Sequence, residues 1–175
     1  MSCGARTFGA GLAALAPGTS PTFAIAELDG SATKKIRLLR IAVGGTELTA
    51  LAVNNLRLTK LSSISTGGVA TIATVVPFDS ANAGLATGVF RGFTTAPTGG
   101  GTIIGAITSY KLVTDLVTLN PIATVTFDFS TLPPASRPTL TTAAQAFALD
   151  FNGATPANAP NLDVYAWWTE EPLNA

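Results

Sequence analysis

The 175-residue chain contains no histidine. That removes the commonest general base, the commonest neutral metal ligand and every Ser-His-Asp or Cys-His arrangement together. Catalysis would have to run on carboxylates, lysine or tyrosine. Glu170-Glu171 is the one adjacent acidic pair. Neighbours on a strand point to opposite faces, so these two cannot share a substrate as acid and base, and a solvated chain end is expected for both. Asp128, Asp150 and Asp163 fall on separate strands, and no spacing rule gathers them. Ser31-Ala-Thr-Lys34 has the S-x-x-K spacing of serine acyl enzymes, in which a helix sets the lysine one turn from the nucleophile. Here it lies in a Gly-flanked turn without S-D-N or K-T-G companions. Gly99-Gly100-Gly101 lacks the Lys-Ser/Thr and the helix that phosphate binding needs, and reads as a flexible tip. Asp150-Phe-Asn152-Gly153 has the start of a calcium loop but not its third ligand or its distal Glu. Cys3 is the single cysteine, so neither an internal disulfide nor a cysteine-rich metal site can form. The reading assigns no catalytic, cofactor-binding or metal-binding residue, and no enzymatic activity.

Charge points elsewhere. Only 11% of residues are charged while 47% are hydrophobic, against roughly 25% charged in an ordinary soluble domain. A folded monomer of this mass exposes about 8,000 Å², so ten basic and ten acidic side chains are thinly spread over it. Either Ser, Thr, Asn and Gly dress the surface or partners cover much of it, and the zero formal net charge favours association. Residues 1–111 hold nine basic against four acidic side chains, whereas 112–175 hold Arg137 against six acids. This polarity can match one subunit to the next or pair the two halves within one chain, and it argues against direct nucleic-acid binding. Lys34, Lys35, Arg37 and Arg40 form the densest basic cluster, expected on a solvated strand edge or against an acidic neighbour.

Residues 1–20 are rich in Gly, Ala, Ser, Thr and Pro, and read as a flexible N-terminal arm that orders against something else. The apolar stretch from Phe8 is too short and glycine-broken for a signal peptide. The charge-free windows 61–78 and 92–110 carry too much Ser, Thr, Gly and Pro to span a membrane as helices. From residue 21 to 175 the pattern is that of one β domain. Short runs of Val, Ile, Leu, Thr and Phe, each closed by Gly, Pro, Asn or Asp, predict strands at 22–28, 35–43, 50–61, 69–76, 88–94, 102–113, 122–129, 145–151 and 162–170. Windows 111–119 and 141–149 have room for a turn or two of helix. Alternation sends Val125, Phe127 and Phe129 to one face, Phe147, Leu149 and Phe151 likewise, and Leu56 and Leu58 away from Arg57 and Thr59. In the last strand Leu162, Val164, Ala166 and Trp168 share one face. Tyr165 and Trp167 share the other, where they either lie beneath a loop of the same chain or stand exposed as a contact surface, the first being the expectation. Eight or nine strands joined by long loops suit an all-β, antiparallel jelly-roll sandwich better than an up-and-down barrel.

The order of segments carries a resemblance. After the N-terminal arm come Lys35-Ile-Arg37-Leu-Leu-Arg40-Ile-Ala-Val43, Leu56-Arg-Leu-Thr-Lys60, the turn Thr66-Gly67-Gly68, the loop Pro77-Phe78-Asp79-Ser80 and the closing strand Val164-Tyr-Ala-Trp-Trp-Thr-Glu-Glu171. Over most of residues 20–171 this resembles the small jelly-roll structural proteins of tailed-bacteriophage particles, most closely the head decoration or cement proteins. The resemblance implies a virion protein made in the host cytoplasm. It implies a homotrimer on the outer surface of the phage head that clamps neighbouring major capsid proteins, with no cofactor and no membrane contact. A receptor- or glycan-binding fibre or tail-tip jelly roll of a phage particle is the alternative.

Overall fold

The computed structural model describes residues 4–17, 24–47, 52–82, 85–116, 124–153, 156 and 160–173. Among them are twelve strands and two single 3-10 turns, Ser80–Asn82 and Pro134–Ser136. The strands are β1 (Arg6–Leu15), β2 (Ala26–Asp29), β3 (Lys34–Glu47), β4 (Ala52–Leu61), β5 (Val69–Ile72), β6 (Val75–Pro77), β7 (Val89–Thr95), β8 (Ile103–Leu116), β9 (Val125–Asp128), β10 (Thr139–Leu140), β11 (Ala146–Asp150) and β12 (Asn161–Pro172). β8 and β11 run through the two windows allowed to helix, whose residues 117–119 lie outside the described ones.

Two antiparallel sheets pack as a β-sandwich. The first has the order β6-β1-β12-β3, with β10 and β9 in series along the far edge of β3. The second has the order β5-β7-β2-β11-β4-β8. They join at one side through a short parallel pairing of β3 with β8, Thr46 opposite Asp115 and Glu47 opposite Leu116. At the other side the chain itself crosses over: β5 is the last strand of the second sheet, β6 the last of the first, and only Ala73 and Thr74 separate them. The sequence predicts one strand over 69–76; a corner divides it, as happens where a strand switches sheets. Ala73 is buried at the bend and donates its N–H to Phe90 O at 2.8 Å.

The predicted faces hold. Leu162, Val164, Ala166 and Trp168 are buried between the sheets with Leu56, Leu58, Phe127, Phe147, Leu149 and Phe151. Val125 and Phe129 pack against them, partly buried.

The expected arm does not hold for its described part. Residues 6–15 are a strand of the first sheet, paired along β12 from Arg6 opposite Glu170 to Leu15 opposite Leu162, and to β6 on the other edge. Phe8, Ala10 and Leu12 point inward at period two, and a bulge after Leu12 returns Leu15 to the core. Phe8 is only 1% exposed and meets the Trp168 ring at 6.2 Å between centroids. Across the sandwich Gly92 makes room for this strand, because a Cβ there would stand 2.7 Å from Leu12 Cδ1 and 2.8 Å from Leu15 Cδ2. Small residues hid a core strand, since propensity scales reward bulk that β1 does not need when its neighbours supply it.

Removing residues 2–15 should therefore abolish cooperative thermal unfolding. Phe8→Ala should cost about 3–5 kcal/mol in a denaturant titration, the range for truncating a buried Phe.

Candidate interaction surface

The outer faces of the two sheets differ. On the second sheet a further thin layer exists: Ala24, Leu61, Phe93 and Ala148 cluster beneath the segments 62–68 and 96–102. Those segments are tied together by Thr66 and Gly99, each donating its N–H to the other's carbonyl, and by Gly101 N–H donating to Ser63 O. The Gly99-Gly100-Gly101 run is thus a fitted lid rather than a free tip. A Cβ on Gly101 would stand 2.2 Å from Ser63 N.

Among the described residues the outer face of the first sheet has no such lid. Strand register aligns a row Val76, Gly9, Trp167, Arg40 and Asp128 across β6, β1, β12, β3 and β9. Gly11, Tyr165, Ala42 and Thr126 form the next row. Two glycines decide how the rings lie. A Cβ on Gly11 would stand 2.5 Å from Tyr165 Cδ1, and one on Gly9 would stand 3.1 Å from both Trp167 Cδ1 and Phe78 Cε1. The rings therefore lean over bare β1 backbone, inclined at 26° to each other with centroids 6.2 Å apart. The Arg40 guanidinium rests 5.1 Å from the Trp167 ring centroid. Depressions of about 210 Å³ and 230 Å³ flank Trp167, the first bordered by Val76, Phe78 and Tyr165, the second by Arg40, Asp128 and Ser130. Phe78, from the loop that follows β6, covers only part of this face. Phe78 itself is 62% exposed and Tyr165 42%.

At Val76 this surface meets the corner between the sheets. Val69, Ile72 and Val76 are each more than half exposed, Ile72 most at 69%. They lie within the charge-free window 61–78, on the last strand of each sheet.

The residues singled out for chemistry are mostly structural. Glu170 and Glu171 do point to opposite faces, but Glu170 is no solvated end. It is 3% exposed and accepts the N–H and hydroxyl of Thr87, the N–H of Gly88 and the indole N–H of Trp168 at 2.8–3.0 Å. Glu171 accepts from Arg37 Nε at 3.1 Å. The basic cluster lies on a central strand rather than an edge, since β3 has β12 on one side and β10, β9 and β8 on the other. A bulge at Leu39 puts Arg40 on the same outer face as Arg37 despite their odd spacing. Ser31 Oγ accepts the N–H groups of Thr33 and Lys34, a turn cap. Asp150 binds Arg57 at 3.0 Å and accepts the Asn152 N–H, and Asn152 and Gly153 adopt the left-handed conformation of a tight turn. Asp128 accepts from Ser130, which with nearby Arg40 holds its carboxyl below the usual range. Cys3 lies outside the described residues. Missed by sequence reasoning was a buried cluster on the outer face of the second sheet. There Glu27 and Asp29 share Arg91 at 3.1 and 3.2 Å. The two acids two residues apart were legible; Arg91, 62 residues after Asp29, was not.

Among the described residues no group of three or more His, Cys, Asp or Glu side chains is placed to hold a metal ion, and no helix is long and apolar enough to cross a membrane. Comparison with protein-family models, with curated proteins and with solved structures finds no match to this chain.

Gly11→Ala should drive the Tyr165 ring off the sheet and destabilise the protein by about 1–3 kcal/mol, as overpacking does. In Tyr165→Ala the same change should cost much less. A double-mutant cycle by chemical denaturation checks the coupling.

Proposed function

We propose that this chain is a jelly-roll virion structural protein, a decoration or cement subunit. It trimerises, binds the outside of a tailed-phage head and clamps neighbouring major capsid proteins, with no catalytic role. The observation that carries the reading is the uncharged apolar corner formed by β5 and β6, whose Val76 borders the same depression as Phe78, Trp167 and Tyr165. Exposed apolar edges are liabilities that monomers suppress with charge or proline; apart from Pro77 at the end of β6 this edge has neither, which favours a covered surface. It can pack without desolvating charge, and it offers the aromatic residues and the arginine that dominate interface energetics.

The strand order supports the jelly roll. β1-β12-β3-β9 in one sheet and β2-β11-β4-β8 in the other put the first strand beside the last and the second beside the last but one. That neighbour pattern is the one expected of the rolled hairpin of a double Greek key, an architecture used by viral capsid and lectin domains. β5, β6 and β7 are then an insertion between β4 and β8 that widens both sheets and creates the apolar corner. Fold alone does not set function, so the reading rests on the surface.

The alternative, a receptor- or glycan-binding tip, draws on the depression beside Tyr165. Its leaning rings and the nearby Arg40 and Asp128 suit stacking and hydrogen bonding to a sugar.

Ile72→Asp and Phe78→Asp should each weaken self-association and attachment to heads at least tenfold, about 1.4 kcal/mol, while the melting transition moves little because both side chains are exposed. Light scattering and co-sedimentation measure this. A stable monomer, with binding to heads unchanged in both variants, would overturn the proposal. Heads lacking the subunit should release their genome at lower temperature, because a repeated clamp multiplies a modest local energy. Unchanged release with lost adsorption to cells would favour the sugar-binding alternative.

A further inference from the structure

Glu27 and Asp29 lie two residues apart on β2 and project from the outer face of the second sheet, where Glu27 is 0% exposed. Opposite them on β7 is Arg91. Its Nη2 lies 3.1 Å from Glu27 Oε1 and its Nε 3.2 Å from Asp29 Oδ2, and the guanidinium sits over the Phe93 ring. The covering loop joins the same network. Ser65 donates its N–H to Glu27 Oε1 at 2.9 Å, and Arg91 Nη2 donates to Ser65 O at 3.0 Å. Two acids against one base leave an imbalance: Glu27 Oε2 and Asp29 Oδ1 are both buried without a hydrogen-bond donor, and Arg91 Nε, though at ion-pair distance from Asp29, is itself buried without a hydrogen bond. A single proton between the two carboxyls satisfies both oxygens and makes the cluster neutral.

We infer that Glu27 and Asp29 share one proton, and that this proton latches the loop 62–68, and with it β5, onto the second sheet. The consequence for assembly rests on the reading of the β5 edge as a docking surface, because β5 begins at Val69 immediately after the loop and its Ile72 pairs with Arg91 itself. Among the described residues the other elements packed on the pair bring no titratable group to it. Register places Ala146 and Ala148 of β11 beside the two acids, then Thr59 and Leu61 of β4. The nearest other charges on that face, Arg57 and Asp150, pair with each other, and Lys60 donates to Thr139 O.

Burial pushes the Asp29 carboxyl up to about 8; the Glu27 carboxylate pushes the same way and the Arg91 guanidinium pulls it back. With the loop open and the pair in water, Asp29 returns to about 3.9, the ordinary carboxylate value. The closed loop thus binds a proton that the open loop releases. Its advantage is complete below about pH 4, falls by up to tenfold per unit as pH rises towards 8, and has no further dependence on this proton above that.

Amide hydrogen exchange on the full chain, corrected for intrinsic rates at each pH, tests the latch. Protection of the Ser65 and β5 amides should fall up to tenfold per pH unit between pH 5 and 8, while β12 amides stay constant. Asp29→Asn, which is neutral at every pH, should abolish the slope. Glu27→Gln removes the second negative charge and should move the window towards acid, a check that stands even if Asp29→Asn fails to fold. A flat wild-type profile, an unchanged slope in Asp29→Asn, or an equal slope throughout β12 would overturn the latch. Light scattering at pH 5 and pH 9 separates the two ideas: a monomer at both values sinks the docking role of the edge, while the exchange slopes alone decide the latch.

Discussion

Glu170 sits at the seam between the sheets. It belongs to β12, the third strand from the β6 edge of its sheet, yet Thr87 and Gly88, two of its donors, belong to the segment that enters β7 of the other sheet. A carboxylate taken out of water is tolerated only when donors replace its hydration, and here the backbone is shaped to supply them. Gly88 is part of the price, since a Cβ there would stand 2.9 Å from Ile36 Cδ1 and 3.2 Å from Glu170 Oε1. The indole of Trp168 is oriented by the same oxygen, so the largest core side chain and the sheet-to-sheet tie are fixed together. With β12 anchored, β1 and β3 follow through their registers, and the row carrying Trp167 and Arg40 follows from those.

Polar burial and apolar exposure are distributed unevenly over the two outer faces. The second sheet spends its loops on covering itself, and encloses ion pairs at Glu27, Asp29 and Arg91 and at Arg57 and Asp150. The first sheet shows aromatic rings over glycine backbone, next to a bare corner. The scarcity of charge is thereby explained in part. Several of the twenty charged groups are consumed inside networks rather than spread over the surface, which leaves the β5–β6 corner without any. A proposed pH-sensitive latch under one face and a docking surface along the adjoining edge are joined by the short loop between Ser65 and Val69.

The residues themselves determined much of this. Period-two alternation assigned both faces of β12, and those of β11, β9 and β4, because a strand's inside and outside are local properties of successive side chains. The opposed directions of Glu170 and Glu171 follow from the same rule. What only the tertiary structure decided depends on which distant segments meet. Arg6–Leu15 became a core strand because β12 and β6 flank it and large neighbours fill the space its glycines leave. The 69–76 run broke in two because its halves pair with different sheets. Glu170 was buried because donors from residues 87 and 88 reach it, and the Glu27 and Asp29 pair was drawn into a network because Arg91 and Ser65 arrive from elsewhere. Burial and partnership of polar groups are set by contacts across tens of residues, and no local pattern encodes them.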